Sequence, residues 1–529
     1  MSSQLGAAGQ LLEWIKQGRG WIHPSLYLKL DPYTGLSIYT STPLSPDERI
    51  LSCPLSLTIT PTLATRAICA EYDIVESELI MRDGTPWSEK ILLAVYLVLH
   101  WIKPYSPNLH HQIYVDALPP PETLTSPLHF SDAELDLLEG TNLLGAVRDR
   151  KNELMEEAEI VREALKEPGT TWERYRDASF YVSSRAFPSS LLQIQNGTES
   201  DMILPGEISH PILVPGLDLL NHARGQAVTW LTHSVPSPDL PIQSVPRHLH
   251  SPNLPHLSTP PTPLHLSDFE TDTSFLSDTL EASIPETNSP NSLIPYISFI
   301  PHTPIPAHTQ IYNNYGPKSN EESLYAYGFV LPGGPDDTVI LALGGPFKEN
   351  GKRYVIKRDG KVPDGLVRDI MGILSEEEEG VENDEIDLKM ELKVSPQQTN
   401  DEKSFQQGWN IVNDEIEDES EKRSNGERER EFDIETKINE EVQNDQEDEI
   451  ELRLYVLETI KNMLSVKLDK LSSRSKKENE IGSSIRMKVS DMCDEYRSGQ
   501  REILELTIQR LEEDMELLER RMKFTSQEW

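Results

Sequence analysis

The stretch Leu213-Val214-Pro215-Gly216-Leu217-Asp218-Leu219-Leu220-Asn221-His222 decides how this chain is read. An apolar strand ends in a proline turn, and Asp, Asn and His then crowd together. Alone, the pattern is a helix cap with an incidental histidine. A second stretch is Gln310-Ile311-Tyr312-Asn313-Asn314-Tyr315-Gly316-Pro317-Lys318-Ser319-Asn320. It delivers Tyr315 into a Gly-Pro turn, and Leu324-Tyr325-Ala326-Tyr327-Gly328-Phe329 then brings Tyr327 and Phe329 back. Alone, that is a strand, a turn and an aromatic core.

Outward from these stretches the chain alternates between two periods. Leu26–Leu30, Leu36–Thr40 and Ile50–Thr60 are apolar or β-branched and are separated by Asp-Pro-Tyr-Thr-Gly and Ser-Pro-Asp turns, so strands are expected there. Further strands are expected at Ala227–Leu231, Tyr296–Ile300, Gln310–Tyr315 and Val339–Leu343. Between them the period lengthens, and helices are expected over 88–103, 131–166 and 172–184. Ser88 is the candidate cap of the first, and Ser131 with Glu134 forms a capping box at the second. Near the end, Leu457, Ile460, Leu464, Leu468 and Leu471 form one helical stripe. Leu504, Ile508, Leu511, Met515, Leu518 and Met522 form another. Two helices packed face to face in one domain is the simpler expectation, and a dimer seam is the alternative.

The chain has 529 residues, 49 Lys plus Arg against 88 Asp plus Glu, and a formal charge of −39. That balance excludes a general nucleic-acid binder working through a basic face, and it favours basic protein partners by electrostatic steering. Residues 231–290 hold 11 prolines, 17 serines and threonines and five histidines, a composition that cannot bury enough apolar surface to offset chain entropy. A disordered Pro/Ser/Thr/His-rich loop is expected over about 231–292. His248, His250, His256 and His265 lie there with nothing to fix their geometry, so no metal site is expected. Residues 375–450 carry 28 acids and eight bases and read as an acidic disordered spacer. Cys53, Cys69 and Cys493 are too few for a disulfide framework or a four-cysteine zinc site, which points to a reducing compartment, cytoplasm or nucleus. The apolar run Ile91–Ile102 is too short for a bilayer span and reads as a buried helix, so no membrane association is expected.

Taken together and in this order, the two signature stretches resemble those of the SET-domain protein-lysine methyltransferases. The branch is the one typified by the Rubisco large-subunit and fungal ribosomal-protein enzymes. Ser183-Ser184-Arg185-Ala186-Phe187 is similar to the branch's Ser-Arg-Ala-Phe segment, and His111–Pro119 to its Pro-Tyr-x-x-x-Leu-Pro segment. Trp14 with Gly20–Gly35 resembles its opening strands, and Tyr496–Gln500 with Ile503-Leu504 its late helix. The resemblance implies an α+β fold: a β-rich SET core over 10–345 with a helical insertion at about 65–205, then a mainly helical, substrate-recognition-like domain over 346–529.

The resemblance also implies S-adenosyl-L-methionine as cofactor and a protein lysine as acceptor. Methyl transfer from a sulfonium to a neutral amine needs positioning and electrostatics rather than a metal. A narrow apolar channel lowers a lysine pKa by desolvation. By resemblance Tyr315 is the catalytic tyrosine at the channel end, and it also touches substrate. Tyr327 lines the channel, and Phe329 lies near the adenine or the channel wall. Asn221 and His222 hold the cofactor through backbone groups, in a knot-like crossing of the chain. Arg185 reaches the cofactor carboxylate, and Asp218 contacts the substrate lysine region. Thr34, Gly35 and Leu36 form the cofactor loop, although the second glycine of the family pattern is missing. Gly18-Arg19-Gly20 imitates that loop but lies one strand too early. The function implied is lysine methylation of a basic non-histone protein such as a ribosomal protein. Protein-histidine methylation and a non-catalytic SET-fold scaffold are the alternatives.

Overall fold

A computed structural model describes residues 2–193, 209–236, 293–343, 352–379, 435–472 and 485–525. The chain divides into two compact units. The first takes Met1–His129, Val147–Lys318 and Tyr325–Gly328; the second takes Phe130–Ala146, Ser319–Leu324 and Phe329–Trp529. The chain therefore passes from the first unit to the second and back between Tyr315 and Tyr327.

In the first unit, α1 (Ser2–Gln17) buries Ala8, Leu11 and Ile15 at helical spacing. Strand β1 (Trp21–Ile22) follows, then a hairpin of β2 (Leu26–Asp31) and β3 (Gly35–Thr40) in register Leu26↔Thr40 to Asp31↔Gly35. Strand β4 (Leu51–Pro54) is shorter than the expected Ile50–Thr60. The chain turns at Leu55–Leu57, and Thr60 caps α2 (Pro61–Tyr72) by accepting from the Leu63 N–H.

Helix α3 (Glu89–Ile102) is capped by Ser88 and buried nearly all round. It tolerates His100 because both ring nitrogens are used. Nδ1 lies 2.8 Å from the Tyr96 carbonyl, and Nε2 accepts from the His111 N–H at 3.2 Å. Helix α4 (Gln112–Ala117) comes next. The helix expected over 131–166 is interrupted: α5 (Asp132–Leu135) carries the Ser131/Glu134 capping box, a turn places Gly140 at φ 83°, and α6 (Asn142–Leu165) restarts. Helix α7 (Trp172–Arg185) leads directly into β5 (Ala186–Pro188), which pairs with β6 (Pro211–Leu213). Strands β7 (Val228–Pro236) and β8 (Leu293–Pro301) complete an antiparallel sheet of order β1-β4-β8-β7. β7 runs past the expected Leu231, because its partner strand is equally long. Residues 231–236 are thus strand rather than loop; 237–292, with His248, His250, His256 and His265, lie outside the described residues.

Gln310–Tyr315, expected as a strand, makes only isolated bridges at Gln310 and Asn313. A short helix α8 (Asn320–Glu322) and a π-helical turn (Ser323–Tyr327) follow. In the second unit, β9 (Thr338–Leu343) pairs with β10 (Lys352–Lys357). Helices α9 (Asp364–Glu379), α10 (Glu435–Ser472) and α11 (Met487–Thr525) close its core. Two ends of the expected acidic spacer are therefore helical, and 380–434 lies outside the described residues. Leu457, Ile460, Leu464 and Leu471 pack with Leu504 and Leu511 around Val339, Ile356 and Leu366, so the two stripes meet within one unit. Among the described residues no helix is long and apolar enough to cross a membrane.

Candidate active site

The first signature stretch leaves β6 and turns at Gly216, whose φ is 88°. That positive φ favours glycine, and a Cβ there would press on Ile15 Cδ1, the end of a side chain, at 2.6 Å. A 3₁₀ turn over Leu217–Leu219 follows, with the Gly216 N–H donating to Asp218 Oδ1 at 3.1 Å. Leu217, Leu219 and Leu220 are buried, and their packing drives Asn221-His222 alongside the second stretch. The Asn313 N–H donates to the Asn221 carbonyl at 2.7 Å, the Ala223 N–H donates to the Asn313 carbonyl at 3.0 Å, and His222 and Asn313 form a parallel bridge. The two stretches therefore cross.

At this crossing three rings lie against one another. His222 lies on Tyr315 at 5.0 Å with an interplanar angle of 19°, and Tyr327 lies on Tyr315 at 5.0 Å and 33°. The Tyr315 N–H donates to His222 Nδ1 at 3.0 Å, so Nδ1 is an acceptor. Burial holds the imidazole down at about 4, so it is neutral at neutral pH. The Tyr315 hydroxyl donates to the Leu220 carbonyl at 2.9 Å, across 95 positions of sequence. Burial pushes that phenol up to about 12, with the Arg185 charge opposing. It too is neutral, and the oxygen's remaining lone pair can accept. Tyr327 is carried by the π-helical turn, a device common where a side chain must be re-aimed. The turn is anchored by Ser126 Oγ donating to the Tyr325 carbonyl at 2.8 Å and Thr125 Oγ1 donating to the Gly328 carbonyl at 2.6 Å.

Arg185, the last residue of α7, donates through Nη1 to both the Asp218 carbonyl and Asp218 Oδ2, each at 3.0 Å. The Tyr114 hydroxyl, from α4, donates to the same Oδ2 at 3.0 Å. The Asp218 side chain is 1% exposed. Cofactor and substrate residues expected separately are thus joined: Arg185 and Asp218 form one buried ion pair beside Tyr315. Tyr114 had no assigned role. It sits inside the quoted 111–119 segment, and nothing in the sequence says that its hydroxyl meets Asp218.

The loop Thr34-Gly35-Leu36 is shaped by Asp31 Oδ1, which accepts from the Tyr33 and Thr34 N–H groups at 2.9 and 3.1 Å. Gly35 takes φ 75°, and a Cβ there would meet nothing within 4 Å. Asn221 Nδ2 donates to the Leu36 carbonyl at 3.1 Å and to Ser37 Oγ at 2.9 Å. The side chain of Asn221 therefore fastens the loop, which leaves its backbone for the crossing. Thr34 Oγ1 donates to Gln310 Oε1 at 3.2 Å, and Gln310 Nε2 is buried without a partner. Ser37 and Gln310 were not legible as site residues; only the fold brings them to the loop. Gly20 of the competing Gly-x-Gly packs against the Ile15 and Ser52 carbonyls, where a Cβ would stand 2.8 and 2.9 Å away. That glycine serves packing. Phe329 falls in the second unit, with its N–H donating to the Ser323 carbonyl at 3.3 Å.

These residues fit the group that the family resemblance implies. An open-sided glycine loop, a buried amide N–H in need of an acceptor at Gln310, and a neutral phenol suit a polar, cationic nucleoside such as S-adenosylmethionine.

No family model matches the chain. A ribosomal lysine N-methyltransferase of Schizosaccharomyces pombe is 25% identical over 300 residues, covering 56% of this chain. The chain spans only 40% of that relative's length. Solved structures align over nearly the whole fold. The SET domain of LSMT bound to lysine and AdoHcy matches with a TM-score of 0.56 at 14% identity, covering 97% of this chain and 93% of that one. Rubisco LSMT bound to AdoMet matches at 0.54, also at 14% identity and with the same coverage. With the crossing of Asn221-His222 over Asn313, this likeness shows that the chain shares the fold of the SET domain of Rubisco LSMT.

Proposed function

We propose that this chain is an S-adenosylmethionine-dependent protein-lysine N-methyltransferase. One observation carries the reading: the Tyr315 hydroxyl is held at the Leu220 carbonyl, beside the Asn221–Asn313 crossing and under the His222 and Tyr327 rings. When bound, the cofactor supplies an activated methyl on a cationic sulfur. Tyr315 and Tyr327 then form an uncharged aromatic wall that favours a deprotonated lysine amine. The Tyr315 oxygen, its O–H engaged in a hydrogen bond to the Leu220 carbonyl, presents a lone pair to orient the amine and the methyl C–H groups. Arg185 and Asp218 hold the floor. The Thr34–Leu36 loop, fastened by Asn221, takes the cofactor's polar end.

The acceptor we propose is a lysine of a basic, non-histone protein, with a ribosomal protein as the favoured class. The name of the fission-yeast relative supports this class, and a net charge of −39 supports a basic partner by steering. Histidine methylation and the scaffold reading gain no support from these comparisons. The three cysteines are free, in keeping with cytoplasm or nucleus.

The test is incubation of the full chain and labelled S-adenosylmethionine with a cell extract lacking it, followed by mass spectrometry of the labelled band. Methyl-lysine on a basic protein is expected. Methyl-histidine would move the assignment to the rival chemistry. A folded sample that binds no cofactor by calorimetry would leave only the scaffold.

A further inference from the structure

The family pattern Gly-x-Gly, laid on Gly35, asks for a second glycine at position 37, and this chain has Ser37 there. Backbone geometry permits the change. Gly35 takes a left-handed φ of 75°, whereas Ser37 stays out of that region. It lies in β3, opposite Lys29 of β2, where any residue fits the extended backbone. A side chain at 37 is therefore unstrained, and its hydroxyl is free to take on work that a glycine cannot do.

Ser37 is fully buried, and its hydroxyl is a junction. It donates to the Gly35 carbonyl at 3.0 Å and accepts from Asn221 Nδ2 at 2.9 Å, across 184 positions of sequence. The Thr34 hydroxyl lies 2.9 Å from the same oxygen and 3.2 Å from Gln310 Oε1. A hydroxyl carries one proton and two lone pairs, so the Ser37 oxygen is fully committed. The second proton of Asn221 Nδ2 goes to the Leu36 carbonyl at 3.1 Å. Every residue of the loop is thus held by a bond that ends on Ser37 or Asn221. Thr34, Gly35 and Leu36 are themselves half-buried, so the fastened loop still presents an edge to a ligand. Asn221 links that edge to the crossing, because its carbonyl accepts from the Asn313 N–H, two residues before Tyr315.

A glycine at 37 would leave Asn221 only the Leu36 carbonyl and Thr34 only Gln310. The loop would gain a second freely rotating position and lose its cross-link, and a ligand would have to order it on binding, which lowers affinity. We propose that Ser37 is a positioning residue for the cofactor: its hydroxyl, standing where a second glycine is expected, locks the Thr34–Leu36 loop to Asn221 before the cofactor's amino-acid arm arrives. The role rests on the cofactor reading of this loop. Ser37 touches neither the methyl group nor the acceptor, and acts through Thr34, Gly35, Leu36 and Asn221.

The test is calorimetric titration of the full chain with two ligands. One is S-adenosylhomocysteine; the other is methylthioadenosine, which keeps the nucleoside and lacks the amino-acid arm. Ser37→Ala removes only the hydroxyl, and Ser37→Gly restores the two-glycine pattern. Each should weaken S-adenosylhomocysteine about tenfold, the effect of one lost internal hydrogen bond, and leave methylthioadenosine within about twofold of wild type. Thr34→Val removes the neighbouring hydroxyl from a half-buried position and should give a smaller loss with the same ligand selectivity. Thermal melting verifies that each variant folds. Wild-type affinity for S-adenosylhomocysteine in Ser37→Ala, or in Thr34→Val where the Ser37 variants do not fold, overturns the role, as does tighter binding by Ser37→Gly. An equal loss for both ligands also overturns it, because that marks a general loosening of the site. A wild type that melts cooperatively and binds neither ligand overturns the cofactor reading itself, and the role of Ser37 with it.

Discussion

The two units bury titratable groups with opposite consequences. In the first, His100, His111 and His222 are pushed down by burial to about 4, 3 and 4. In the second, Glu321 of α8 is pushed up by burial, against the Tyr496 hydroxyl that donates to it and the Lys467 charge nearby. Burial disfavours the charged form in both units. A histidine escapes by losing a proton and a carboxyl group by keeping one. Between about pH 6.5 and 4 the unfolded chain takes up protons that the buried histidines refuse, so the first unit loses stability as pH falls. Above about 4.5 the unfolded chain has released the Glu321 proton while the native state still holds it, so that group's contribution fades as pH rises. Burial, rather than the intrinsic acidity of the residue, sets where the stability maximum lies.

Asp218 of the first unit is buried in an ion pair with Arg185. Removing the carboxylate should test burial in that unit most sharply. Asp218→Ala leaves a buried guanidinium and the Tyr114 hydroxyl unsatisfied, and chemical denaturation should show a loss of about 3–5 kcal/mol. A loss below about 1 kcal/mol would mean that the pair is hydrated. Next in size, Tyr315→Phe should lower methyl transfer about 100-fold, about 2.7 kcal/mol of transition-state stabilisation, with cofactor affinity nearly intact by calorimetry. Wild-type turnover would strip Tyr315 of its role.

The acid limb is tested by melting the protein between pH 7 and 5. His111→Gln should remove one proton's worth of slope, roughly 2 kcal/mol between pH 6.5 and 5. An unchanged slope would show that His111 titrates normally in the native state. The smallest effect belongs to the other unit. Glu321→Gln keeps an acceptor for Tyr496, should change stability at pH 5 by about 1 kcal/mol or less, and should flatten the decline at higher pH. Parallel curves for wild type and variant would remove Glu321 from the comparison.

The helices of the second unit were legible because the spacing that marks a helical face is local. Leu457 to Leu471 and Leu504 to Leu511 declare their faces by spacing, and α10 and α11 obey. The Ser88 cap and the Ser131/Glu134 capping box were readable for the same reason, since their partners lie three residues away. Strand ends were less legible. β7 runs on to Pro236 because β8 supplies a partner, and Gln310–Tyr315 forms no regular strand because it meets its neighbours only at bridges. Propensity sees neither circumstance.

In the site, residue types and order in 213–222 and 310–329 were enough to nominate Tyr315, Asn221 and His222 through a family resemblance. The geometry that gives them chemistry was not. Tyr114 meets Asp218 from 104 positions away and Thr34 meets Gln310 from 276. Sequence by itself determined the charge, the helical stripes, the local caps and the two stretches that had to meet. Only the tertiary structure decided that Arg185 spends Nη1 on Asp218 and that the Asn221 side chain ties down Leu36 and Ser37. The reason is physical: a cap or a stripe is fixed by neighbours a turn away, whereas the partner of a buried polar group is whatever the folded chain places within 3 Å of it.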